Sequence, residues 1–75
     1  MRIIDAIPHP SMTISIFSMN NKYIVKFEAG PMEQVFKFNS DDIGGVEQLK
    51  NKINDEFMDQ TMLRFKEMFL LYKEL

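Results

Sequence analysis

The 75-residue chain is 45% hydrophobic and 27% charged, a balance that excludes disorder and describes one ordinary globular domain. A chain of this size buries only about 60% of the surface its unfolded form exposes, so its core must be thin. The formal net charge of −2 gives no long-range attraction to phosphate backbones or anionic membranes, and the lack of cysteine excludes disulfides, thiolate nucleophiles and cysteine zinc sites.

The first residues, Met1-Arg2-Ile3-Ile4-Asp5, break their apolar run with a carboxylate, unlike the apolar stretch of about 7 to 15 residues in a secretory signal. Further on, the longest apolar run is Met68-Phe69-Leu70-Leu71-Tyr72, against roughly 20 residues for a membrane span. A soluble, cytoplasmic protein without membrane contact is expected. Residues 1–11 then read as an extended arm or short edge strand, because Pro8 and Pro10 remove backbone donors and push their predecessors into extended conformations.

Residues 12–39 alternate with a period of two and carry β-branched and aromatic side chains in three runs, split at Asn20-Asn21 and Ala29-Gly30-Pro31. Three antiparallel strands in a meander follow. A two-residue loop at Asn20-Asn21 suits asparagine's tolerance of positive φ and sets Met19 opposite Lys22. Ile14, Ile16 and Ser18 then face Phe27, Val25 and Tyr23 on a core side, and Phe17 faces Ile24 on the outer side. For the next turn, a two-residue loop at Gly30-Pro31 sets Glu28 against Glu33, whereas a longer loop sets Ile24 against Val35 and Lys26 against Glu33. Like-charge repulsion favours the longer loop.

From residue 40 the period changes. Ser40, Asp41 and Asp42 offer N-cap oxygens, and Gly44-Gly45 interrupts before a helix that opens near Val46, after a short turn burying Ile43. Val46, Leu49, Ile53 and Phe57 form one helical stripe for the sheet. Met58, Met62, Phe65, Phe69 and Tyr72 continue it, widened by Leu63, Met68 and Leu71. One helix over residues 46–75 spans about 45 Å, while a six-residue strand spans only about 20 Å. Either the chain bends near Asp59-Gln60-Thr61 into two shorter helices, or one long helix overhangs and docks on another subunit. The weak helix-breaking power of Asp59 and Thr61 favours the overhang.

Residue types that carry chemistry are sparse. His9, the single histidine, sits between prolines with no second histidine or cysteine to complete a metal site, and reads as a corner residue capping a backbone carbonyl. Asp55, Glu56 and Asp59 at helical spacing suggest a divalent-cation or acid–base pair less than a solvated face. Asp41 and Asp42 lack calcium-loop spacing, Gly44-Gly45 matches no phosphate-binding fingerprint, and no nucleophile elbow surrounds any serine. No catalytic residue, cofactor or metal is expected. The outer sheet face interleaves Lys22, Lys26 and Lys37 with Phe17, as single-strand nucleic-acid binders do, but Glu28 and Glu33 share that face.

The sequence thus predicts an α+β domain: a meander with one long or two shorter C-terminal helices on one face. Its function is read as a non-enzymatic protein–protein interaction module, a homodimer whose partner buries Phe17, Ile24, Phe65, Met68, Phe69 and Tyr72. The seven methionines, including Met58, Met62 and Met68, fit adaptable surfaces or irregular cores. Binding of single-stranded nucleic acid through the outer sheet face is the alternative.

Overall fold

The computed structural model describes residues 2–75; Met1, part of the expected arm, lies outside them. Four strands, β1 (Arg2–Ile7), β2 (Thr13–Met19), β3 (Lys22–Ala29) and β4 (Met32–Asn39), form an antiparallel sheet in the order β1-β2-β3-β4. Three helices follow, α1 (Ser40–Ile43), α2 (Val46–Lys52) and α3 (Asp55–Lys73). The α+β class stands, and the three-stranded meander gains a fourth strand because, of the two forms expected for residues 1–11, the edge strand is the one taken, paired along β2.

The β2–β3 hairpin has the register its turn chemistry implies, with Met19 opposite Lys22, Phe17 opposite Ile24 and Ile16 opposite Val25. Asn20 and Asn21 both take positive φ, 48° and 62°, as a type I′ turn requires. The next hairpin corrects the preference for a longer loop: Ala29 pairs with Met32 across Gly30-Pro31, and Glu28 does face Glu33. Gly30 at φ 59° supplies the positive first position of a type II′ turn, which proline can follow. The repulsion is offset diagonally, since Lys26 Nζ lies 3.4 Å from a Glu33 carboxylate oxygen.

The β1–β2 ladder slips by one residue between Ile3 and Asp5, a bulge that leaves Ile4 without a partner. Past the bulge, Asp5 and Ile7 point to the same side as Ile14 and Ile16, whereas Ile3 stands beside Phe17 on the opposite face. The corner after β1 is closed by His9, whose Nδ1 accepts the Ser11 N–H at 3.1 Å. His9 therefore caps a backbone donor, not the carbonyl expected of it.

Ile14, Ile16, Val25, Phe27, Leu49, Ile53 and Phe65 make the buried core between the sheet and the helices, joined by Met12 from the corner. Each such apolar side chain contributes on the order of 1.5 to 3 kcal/mol by leaving water. Phe27, Phe36 and Phe57 form an aromatic cluster with centroids 5.3 to 5.8 Å apart, which fastens the start of α3 to the middle of the sheet.

The helical segment is broken, and earlier than Asp59-Gln60-Thr61. Ile53 leaves the helix at ψ 70°, and Asn54 takes an extended conformation whose side chain accepts the Phe57 N–H at 2.9 Å. An N-cap of this kind restarts a helix at Asp55. The break sends the two helices to opposite edges of the sheet. On the β1 side, α2 is tied by Lys50 Nζ to Asp5 at 3.1 Å. That hydrogen bond raises the Lys50 pKa above its ordinary value. The Asp5 pKa falls below its usual carboxylate value, first because the Ala6 N–H donates to it and then because of Lys50. On the β4 side, Gln34 Nε2 donates to the Thr61 carbonyl at 3.1 Å and holds α3.

Before α2, the one-turn helix α1 hangs on the first hairpin. Both the N–H and the hydroxyl of Ser40 donate to the Asn21 carbonyl at 2.9 Å, so Ser40 anchors α1 without being its N-cap. Ile43 is half-buried against the core, as the short turn implies.

Candidate interaction surface

The proposed contact residues fall into three environments. Phe65 is 3% exposed and belongs to the chain's own core, with Met68 half-buried against that core. Phe17 is half-buried and Ile24 5% exposed on the outer sheet face, in a cross-strand row running Ile3, Phe17, Ile24, Lys37. Ile24 lies outside the core cluster, so its burial comes from that face, where long lysine stems can lie along apolar neighbours. Phe69 and Tyr72 are about half exposed on the distal part of α3. The six residues therefore do not form one patch.

The distal part of α3 does form one. Phe69, Leu70, Leu71 and Tyr72 are 45 to 68% exposed in succession, and no residue of α3 beyond Phe65 is fully buried. Around them the surface is concave. Met62, Leu63 and Phe69 of α3 face the Gly30-Pro31 turn across an open groove of about 770 Å³, with Asp59 and Lys66 also lining it. Met32 borders that groove and a second one of about 480 Å³ that reaches Leu71 and Tyr72. One apolar surface thus wraps the distal helix. Phe69 and Tyr72 stack on each other with centroids 6.4 Å apart, and the Lys73 ammonium lies 5.8 Å from the Phe69 ring, so the two aromatics shield each other in part.

Sequence reasoning did not single out Met32, Leu63, Leu70, Asp59 or Lys66 for this surface. The signal was available for the helical ones: Met62-Leu63 recurs as Phe69-Leu70 seven residues on, a repeat that returns to the same helix face. Met32 could not be found that way, because its place depends on the hairpin register. Asp55, Glu56 and Asp59 are all exposed, and among the described residues no three acidic or histidine side chains converge as metal ligands would. Among the described residues, no helix is long and apolar enough to cross a membrane.

No protein-family model matches this chain, and neither a curated protein nor a solved structure is significantly similar to it.

Proposed function

We propose that the chain is a non-enzymatic protein–protein interaction module that works in the cytoplasm as a homodimer through α3 and the groove beside it. The observation that carries this reading is the run of four large apolar residues, Phe69 to Tyr72, left 45 to 68% exposed beside an apolar groove. Large contiguous apolar surface on a small domain is commonly covered by association, and a thin core gains stability from it. The groove also lacks the convergent polar groups by which ligand pockets orient a substrate, offering only Asp59 and Lys66 among its lining.

The outer sheet face supports the nucleic-acid alternative less well, since Lys26 is engaged by Glu33 and Phe17 is half-buried. Sedimentation or light scattering from micromolar to millimolar concentration tests the proposal. A dimer that Phe69→Glu converts to monomer, with an unchanged circular dichroism spectrum, is expected. A wild-type chain that stays monomeric throughout overturns it.

A further inference from the structure

One stripe on the exposed side of α3 is polarised along its length, with exposed Glu56, Arg64 and Glu67 lying off it. Asp55, Asp59, Lys66 and Lys73 are all exposed and follow one another in steps of four, seven and seven residues, which keeps them on one face. Between the acids and the bases of that face lie Met62 and Leu63, with Phe69 and Leu70 one heptad further on. Asp59, Met62, Leu63, Lys66 and Phe69 all border the same groove, so charge and apolar surface are parts of one site.

From this arrangement we infer that the second copy docks with its α3 antiparallel to the first, about a two-fold axis passing near Leu63. The inference rests on the homodimer reading and adds the orientation of the partner. With the axis there, Asp59 of one copy falls beside Lys66 of the other and Asp55 beside Lys73, and symmetry makes each contact twice. A parallel pairing instead sets Asp55 and Asp59 against themselves, and likewise Lys66 and Lys73. The acidic start and basic end of one stripe are self-complementary only when reversed. Apolar contact along Met62, Leu63 and Phe69 provides the attraction, and the charges select direction and register. The Gly30-Pro31 turn walls the groove on one side and holds the incoming helix against α3.

Because the chain has no cysteine, single introduced thiols report the orientation cleanly. Helices that pack lie about 8 to 10 Å apart, within reach of a short bis-maleimide. Leu63→Cys sits near the axis and cross-links to its own copy. Leu70→Cys does not, because its two copies are separated by roughly 20 Å along antiparallel helices at about 1.5 Å per residue. A parallel dimer reverses the second result and links both. Charge exchange gives an independent arm: at low salt, Asp59→Lys or Lys66→Asp alone weakens dimerisation about tenfold. The double variant restores it to within about threefold, since two exposed attractions become repulsions and are then remade with opposite sign.

A dimer that cross-links through Leu70→Cys, or whose affinity ignores both single reversals, overturns the antiparallel docking while leaving the homodimer intact. A chain that is monomeric at every concentration overturns both.

Discussion

The two ends of α3 have similar amounts of apolar side chain and opposite surroundings. Phe57, Met58, Thr61 and Phe65 lie on the sheet, with Phe57 against Phe27 and Phe36 and Phe65 buried at 3% exposure. Phe69, Leu70, Leu71 and Tyr72 stand in the open because α3 starts over the middle of β3 and β4, at Phe57, and runs out past the turn that joins them. What an apolar residue contributes to this domain is set by whether a strand lies under it, and hydrophobicity alone does not distinguish the two ends.

The sharpest way to break that contrast is to truncate matched aromatics. Phe65→Ala is expected to cost about 3 to 5 kcal/mol, through lost transfer energy and a cavity, and to move the urea midpoint accordingly. Against a total stability on the order of 4 to 11 kcal/mol, that removes from about a quarter to all of it. Asn54→Ala removes the cap that starts α3 and should cost about 1 kcal/mol by the same measurement, showing how far the proximal end depends on the break. Gly30→Ala adds no clash, since nothing lies within 4 Å of the added carbon, but forces φ 59° on a residue with a side chain. A loss of roughly 1 kcal/mol is expected there, with the groove wall loosened.

At the distal end, Phe69→Ala measured at concentrations low enough to keep the chain monomeric should shift stability by only about 0.5 kcal/mol or less. An equal loss at Phe65 and Phe69 would erase the distinction between the two ends. The smallest effect concerns pH and the far edge of the sheet. Asp5 titrates below its ordinary value in the folded chain, so its contribution is present above the unfolded carboxylate pKa and is lost as pH falls through the folded one. Lys50 titrates above its ordinary value, so its share is present below the unfolded lysine pKa and is lost as pH rises through the folded one. Asp5→Asn should flatten the acid limb of a stability–pH curve by removing a small contribution at neutral pH, so that the variant and wild-type curves meet at low pH.

The sequence reveals most where local chemistry decides the outcome. Asn20-Asn21 dictates a turn type, the turn dictates a register, and the register sorts Ile14, Ile16, Val25 and Phe27 into the core. It misleads where two local terms compete. Glu28 facing Glu33 argues against the tight loop, but the backbone preference of Gly30 prevails and Lys26 offsets the repulsion from the diagonal position. The break at Ile53-Asn54 is hidden for a different reason: Leu49, Ile53 and Phe57 keep a helical spacing across it, so apolar periodicity passes through a point where the backbone turns. Only Asn54, a cap-forming residue within the stripe, marks it. Phe65 illustrates the limit for the candidate surface, since a stripe of apolar residues does not say where the sheet beneath it ends.

The bulge at Ile4 sets how β1 meets its surroundings as an outermost strand. Such a strand offers unpaired backbone groups that another molecule's strand can extend, the first step towards a fibre. Here the ladder slips beside Asp5, a carboxylate turned in towards Lys50, so an incoming strand meets a kink and a charge within two residues. Ile3 and Ile4 can therefore stay 59 and 38% exposed on an outermost strand with less risk that the domain polymerises through this edge of its sheet.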